Sequence, residues 1–260
     1  MKGAGEAGGG PEGQGKHRPP VFLADHADLE RGSIVLSGPE GRHAATVRRL
    51  SPGERADVTD GAGTVAECVV TGVRPGVIEL AVLATRAEPA AEPRIVVVQA
   101  IPKGDRGELA VEIMTEVGVD AVVAWQAERC VARWHADRAG KALARWQATA
   151  REAAKQARRA WTPEVTGPEG TPAIARRAGA AALAILLDPG APAALGGIRT
   201  PGRGEIVVIV GPEGGVSPAE ADALARAGAV PARLGPTVLR SSSAGAVAAA
   251  IVLAGSSRWA

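Results

Sequence analysis

The sequence predicts a mixed α/β protein in which a small unit of short β-strands precedes a larger unit built on a mostly parallel sheet. Val21 to about Arg86 alternates short β patterns with Pro-Gly and Asp-Gly turns, the rhythm of a small β-barrel. From Arg94 onward, unbroken β-branched apolar runs such as Ile206–Val210 alternate with helical patterns, as in strands buried on both faces of a parallel sheet. Between the two, Glu88-Pro-Ala-Ala-Glu-Pro93 reads as a Pro/Ala linker and marks a boundary. A chain of 260 residues is long enough for one large domain or two small ones.

The chain opens with a polar, Gly-rich stretch, Met1 to Gly15, without the apolar core of a signal peptide. Residues 1–17 are expected to be a disordered tail. Ser33–Leu36, Arg55–Thr59, Val65–Val70 and Val77–Leu83 read as strands of the first unit, residues 18–87. One helix interrupts them. Ser37-Gly-Pro-Glu40 forms a capping-box start, with Ala44, Val47 and Leu50 expected on its inner face. Its outer face carries Arg42, His43, Arg48 and Arg49, which suits either a solvated surface or contact with a polyanion. His43 has no second histidine or carboxylate at ligand spacing, so no metal site is expected.

In the second unit, residues 94–260, a strand over Arg94–Ala100 leads through Pro102-Lys-Gly-Asp-Arg106 into a helix from about Asp105 to Val117, closed by Gly118. Leu109, Ile113, Met114 and Val117 are expected on its inner side. Ala121–Trp125 is the next strand, and strand–helix–strand with apolar strands argues for parallel pairing. A long helix follows from about Asp137 to Trp161. Ala142, Leu143, Trp146, Ala150, Ala153, Ala154, Ala157 and Trp161 share one arc of roughly 120°. Arg138, Lys141, Arg145, Arg151, Lys155, Arg158 and Arg159 lie opposite, interrupted by Glu152. Like charges so placed repel, a cost that a phosphate backbone would remove.

Leu183–Leu187 is another buried strand, ending at Asp188-Pro189-Gly190. Residues 191–204 are Pro/Gly-rich and carry no pattern. Ile206–Val210 runs into Gly211-Pro-Glu-Gly-Gly215, where glycine lets a backbone turn sharply or approach a ligand. Ser217, Pro218 and Glu220 then cap a helix over Ala219–Ala227. Val230–Leu234 returns to the sheet, Leu234–Arg240 forms a further loop, and Ser241–Ser243 are expected to cap a last, tightly packed helix over Ala244–Ala254. These strand-end loops are where open α/β sheets bind ligands.

Several function classes fall away. The net charge is only +2. Cys68 and Cys130 form neither a metal spacing nor a disulfide framework. Tyrosine is absent and phenylalanine occurs once, which argues against base stacking on an aromatic sheet. Neither G-x-x-x-x-G-K-[ST] nor G-x-G-x-x-G after the first strand is present, so neither an NTPase loop nor a dinucleotide site is supported. No apolar run approaches the roughly 20 residues of a membrane helix.

Gly211-Pro-Glu-Gly-Gly215 followed by Leu234-Gly-Pro-Thr-Val-Leu-Arg240 resembles the RsmE family of SPOUT-class RNA methyltransferases, and the likeness runs from about Val21 to the C-terminus. It implies S-adenosylmethionine-dependent methylation of N3 of one uridine in 16S ribosomal RNA. It also implies a SPOUT α/β domain with a deep trefoil knot, a PUA-like β-barrel that helps hold RNA, and a homodimer; the two cysteines without a disulfide framework fit a reducing cytoplasm, so a cytoplasmic location is expected. The cofactor-binding positions so implied are Leu187, Asp188, Gly211, Pro212, Glu213, Gly214, Gly215, Leu234, Gly235, Pro236, Val238, Leu239, Arg240 and Ser242. The RNA-binding positions are Arg42, His43, Arg48, Arg49, Lys103, Arg145, Arg151, Lys155, Gln156, Arg158 and Arg159. Lys103, Glu112 and Glu116 follow a similar family pattern, as does Glu152-Ala-Ala-Lys-Gln156-Ala-Arg158. Glu128-Arg129-Cys130 matches a family turn, with Ala127 in place of a serine, and Cys130 reads as structural.

Of the candidate catalytic residues, Arg240 either supplies a positive field to a uracil anion or orients the cofactor's carboxylate. Glu213 positions polar groups, and a general-base role for it stays open. The chain departs from the family at Arg240-Ser-Ser-Ser-Ala244, where an acidic residue is usual, so no carboxylate at position 242 is essential here. Two alternatives remain at this level: a non-catalytic RNA-binding module on the same scaffold, and methylation at another RNA position.

Overall fold

The computed structural model describes residues 18–259; the expected tail lies outside them. The first unit runs β1 (Val21–Leu23), α1 (His26–Leu29), β2 (Ser33–Leu36), α2 (Gly38–Arg42), β3 (Arg55–Thr59), β4 (Thr64–Arg74) and β5 (Val77–Ala87). Its sheet has the order β1-β3-β4-β5-β2, with β1 and β2 at the two ends of the ladder. Only the β1–β3 pair is parallel. Alternation fixes the register: Ile34 and Leu36 of β2 turn inward against Phe22, Val58, Ile78 and Leu80.

The helix in this unit departs from its expected pattern. α2 widens into a π-helical turn over His43–Val47, and the wider turn breaks the 3.6-residue spacing on which the inner face was assigned. Ala44 is buried, but Val47 is 69% exposed and Leu50 only half-buried. Ser37 makes no side-chain cap bond. Glu40 instead accepts from the Leu23 amide at 3.1 Å and from Lys155 Nζ at 2.6 Å. The His43 ring packs edge-on against Phe22.

The second unit contains β6 (Arg94–Ala100), α3 (Arg106–Val117), β7 (Ala121–Trp125), α4 (Ala136–Gln156), β8 (Glu164–Glu169), α5 (Thr171–Ala180), β9 (Leu183–Leu187), β10 (Glu205–Val210), α6 (Pro218–Arg226), β11 (Val230–Ala232) and α7 (Ser241–Ala254). Its six strands are ordered β11-β9-β10-β6-β7-β8, and every pair is parallel. α3 packs between α4 and α7, α7 lies over β6 and β10, and α5 packs against α6 and β9. Covered on both faces, Ile95–Val98 and Ile206–Ile209 are fully buried, which is why these strands read as unbroken apolar runs.

Four helix-level expectations change. On α3 the buried residues are Gly107, Ala110, Val111, Met114 and Thr115, and Leu109 is 47% exposed. The helix is rotated so that Gly107 meets Trp146 of α4; a Cβ there would lie 2.5 Å from the indole. α4 stops at Gln156, five residues short of Trp161, and Arg158 adopts a left-handed backbone with φ 57°. The first unit claims the missing turn. The Ala160 carbonyl accepts from Thr59 Oγ1 at 3.2 Å and from the Gly63 amide at 3.0 Å. Trp161 Nε1 donates to the Glu88 carbonyl at 2.9 Å, leaving Trp161 36% exposed rather than on the inner arc. Pro163 to Ala180, unassigned from sequence, supplies β8 and α5. Ser241–Ser243 lie inside the first turn of α7 instead of capping it; Arg240 occupies the cap position.

Two of the expected surface cations are turned inward. Lys155 has 5% of its side chain exposed and bridges Glu40 of the first unit and Glu152. Arg159 donates to the Thr115 and Val119 carbonyls at 2.8 and 2.6 Å and pairs with Asp120. Asp120 also binds Arg258 and the Ile95 amide, so it ties the C-terminus to the sheet. Burial lowers the Arg159 pKa, Asp120 raises it back in part, and the net shift is downward. Removing Lys155 strands a partly buried carboxylate. Lys155→Met is expected to cost about 2–3 kcal/mol in urea unfolding, and adding Glu40→Gln should return part of that loss. A neutral Lys155→Met would contradict the bridge as a joint between the units.

Candidate active site

Glu220 sets the frame of the site. Its capping box with Ser217 forms as expected: Ser217 Oγ accepts from the Glu220 amide and Glu220 Oε2 from the Ser217 amide. Oε1 accepts from the Glu128 amide at 2.9 Å and from Thr171 Oγ1 at 2.7 Å. One carboxylate thus joins the exit of the glycine loop, the β7–α4 turn and the start of α5. Burial pushes its pKa up, but the bonds from Glu128, Thr171 and Ser217 outweigh that and hold it below the usual carboxylate range. A depressed folded pKa contributes stability above the unfolded value and loses it as pH falls through the folded one. Glu220→Gln should therefore flatten the decline of stability in acid, below about pH 4, in a series of denaturant titrations. An unchanged acid limb would contradict this.

The carboxyl ends of β9, β10 and β11 open onto a cavity of about 510 Å³. Leu187 and Asp188 follow β9 along its wall; Gly211, Pro212, Glu213, Gly215 and Val216 follow β10. Leu234, Gly235, Thr237, Val238 and Leu239 follow β11, and Arg240, Ser241 and Ala244 complete it at the start of α7. The three turns singled out from sequence therefore converge. The loop after β10 is folded on itself: the Gly215 amide bonds the Pro212 carbonyl at 2.9 Å, and Gly215 has φ 75°. A Cβ on Gly211 would sit 2.7 Å from Val216 Cγ2. Gly211→Val is accordingly expected to push Val216 into the cavity and weaken small-molecule binding at least about tenfold.

Three of the expected residues do not line the cavity. Gly214 faces the β7–α4 turn, where a Cβ would lie 3.2 Å from the Arg129 carbonyl oxygen. Ser242 is buried in α7, and Pro236 is exposed at the loop tip. Glu213 does line it, and its Oε1 accepts from Ser241 Oγ at 3.3 Å. Among the described residues the Arg240 side chain has no hydrogen bond or ion pair. Arg106 also lines the cavity, and sequence reasoning passed over it. What brings it there is strand order: β6 neighbours β10, so the turn after β6 opens at the same edge as the glycine loop, and no local pattern in the sequence carries that adjacency.

Residues 90–253 match a family described as an RNA methyltransferase domain, and residues 36–82 one described as an RNA methyltransferase PUA domain. The ribosomal RNA small subunit methyltransferase E of Mycobacterium tuberculosis is 47% identical over 243 residues, 92% of this chain and 93% of that protein. The chain belongs to the RsmE family. A crystal structure of a ribosomal RNA small subunit methyltransferase E from Neisseria gonorrhoeae, bound to S-adenosylmethionine, matches with a TM-score of 0.81 at 28% identity, covering 91% of this chain and 98% of that one. A probable rRNA methyltransferase from Porphyromonas gingivalis matches with a TM-score of 0.77 at 26% identity over 93% of this chain and all of the other.

In this RsmE-family chain the residues expected to face RNA divide into two groups. Arg42, Arg48, Arg49, Lys103, Arg145, Arg151 and Gln156 are exposed, although Arg145 pairs with Glu108. Arg151 borders a second cleft of about 530 Å³ between the two units, with Asp60, Gln147 and Thr162. His43 is half-buried on Phe22, Lys155 and Arg159 are internal, and Arg158 donates to the Pro19 carbonyl at 2.9 Å. Cys130 is buried with its thiol 3.7 Å from the Trp125 carbonyl, and burial raises its pKa. Cys68 is likewise pushed up to about 11 by burial, so neither is a ready thiolate. Among the described residues no group of three or more His, Cys, Asp or Glu side chains is placed to hold a metal. No described helix is long and apolar enough to cross a membrane.

Proposed function

We propose that the chain transfers the methyl group of S-adenosylmethionine to N3 of a single uridine in 16S ribosomal RNA of the small subunit, at the mouth of the cavity described above. The observation that carries this reading is the convergence on that cavity of three backbone-rich turns and of Arg240, whose side chain has no hydrogen bond or ion pair among the described residues. The cavity fits the donor. Its volume falls within the range of small-molecule sites, Leu187, Leu234 and Leu239 offer apolar walls to a purine, and the turn peptides offer hydrogen bonds to neutral ribose and adenine. When bound, the sulfonium supplies an electrophilic methyl group, and no metal is required for its transfer.

Arg240 places positive charge where the uracil anion forms as N3 gives up its proton, which stabilises that charge without reorganisation. Glu213, bonded to Ser241, holds the start of α7 against the glycine loop. The RNA backbone is held by the exposed cations Arg42, Arg48, Arg49, Lys103, Arg145 and Arg151, with Gln156 beside them. Lys155 and Arg158 contribute by fixing the two units relative to each other, and Arg159 by tying the end of α4 to the α3–β7 turn. The chain works in the cytoplasm as a homodimer; Val247, 39% exposed on the α7 face that also carries half-buried Ser243, Ala250 and Ile251, suits a second copy packing there.

The test is a deletion strain. Its small-subunit RNA should lack 3-methyluridine, and the chain should restore the nucleoside when returned. Retention of 3-methyluridine in the deletion strain would refute the assignment of base and atom.

A further inference from the structure

Arg106 opens α3 just beyond the turn that follows β6 and reaches the cavity from that side. Every other lining residue comes from β9, β10, β11, α6, α7 or the loops attached to them. Arg106 is half-buried. The other half-buried arginines among the described residues all have protein partners. Arg94 pairs with Glu164, Arg159 with Asp120 and Arg177 with Glu205, while Arg233 and Arg258 donate to the Ala191 and Gly118 carbonyls. Arg106 alone has none. Its neighbour Glu108 is taken by Arg145. A guanidinium partly withdrawn from water, with five donors and no acceptor, is costly unless an anion meets it.

The methyl-transfer reading, on which this inference rests, supplies one such anion. The adenosine of the donor is neutral, and its sulfonium and ammonium are cations that suit Asp188 and Glu213. Its single anionic group is the carboxylate of its amino-acid part. Arg240 is exposed, whereas Arg106 is half-buried and the more enclosed cation. We propose that Arg106 binds the carboxylate of the methyl donor through its planar fork, and thereby sets where the sulfonium methyl stands relative to Arg240. The two arginines then divide the work: one positions the donor, the other answers charge on the base.

Calorimetry without RNA tests this with two probes, S-adenosylmethionine and its decarboxylated analogue. The wild type is expected to prefer the carboxylated donor by about 10- to 100-fold. Arg106→Ala should lose that preference while binding the decarboxylated donor as the wild type does, and Arg106→Lys should keep part of it. In steady state the KM for the donor should rise, and kcat at saturation should fall with it because the methyl group is no longer held in place against Arg240. An Arg106→Ala variant that keeps the full preference, that weakens both donors equally, or that changes only the KM for RNA would overturn the proposal. Should Arg106→Ala fail to fold, a wild type indifferent between the donors, or an Arg106→Lys variant with undiminished preference, would overturn it as well. Uptake of neither donor by the wild type would instead refute the methyl-transfer reading itself.

Discussion

Arg240→Ala is expected to slow methyl transfer by about 10²- to 10³-fold at saturating donor and RNA, with little change in stability. The side chain lines the cavity and makes no hydrogen bond or ion pair among the described residues, so its loss leaves nothing unpaired. The start of α7 does not depend on it either: the Arg240 main-chain carbonyl, not the guanidinium, accepts from the amides of Ser243 and Ala244 at 3.0 and 2.9 Å. What is lost is a positive field at the position where the uracil ring becomes anionic. Arg240→Lys should recover part of the rate, because a point charge remains while the fork does not. Single-turnover measurements isolate this step. A rate for Arg240→Ala within a few-fold of the wild type would remove Arg240 from the chemistry.

Gly245→Val is expected to cost about 2–3 kcal/mol of stability and to weaken donor binding together with it. At Gly245, α7 packs directly against the sheet and α3. A Cβ there would sit 2.9 Å from Met114 Sδ, 3.1 Å from Val97 Cγ1 and 3.4 Å from Val210 Cγ2. The methionine can yield, but the two valines belong to fully buried central strands and are stiff at χ1. A branched side chain must lift the helix, and the same helix carries Ser241 and Ala244 into the cavity wall. Urea unfolding and donor titration should therefore move together. A variant as stable as the wild type would show that α7 is seated less tightly than this packing implies.

Where local chemistry decides structure, the sequence was readable. Ser217-Pro-Ala-Glu220 specifies its own capping box, and Ile206–Val210 followed by three glycines specifies a buried strand and a sharp turn. Both stand in the structure as expected. Where a partner from the other unit decides, it was not. A helical wheel cannot distinguish Lys155 from Arg151: both sit on the polar face of α4, yet one long stem reaches Glu40 across the unit boundary and the other stays in solvent. The end of α4 was overread for the same reason, since Thr59 and Gly63 take the Ala160 carbonyl that another helical turn would have used. β8 escaped notice because Gly167 and Pro168 interrupt its apolar pattern. Arg106 escaped because the turn after β6 joins the other three only through strand order, β6 lying beside β10.

The account turns on donor binding in the cavity at the ends of β9, β10 and β11. A crystal structure of the protein soaked with S-adenosylmethionine tests it most directly. Density for the donor is expected against Leu187, the Gly211–Gly215 turn and Leu234–Leu239, with its sulfonium methyl facing Arg240. Donor density elsewhere on the molecule, or an empty cavity at saturating concentration, would contradict it.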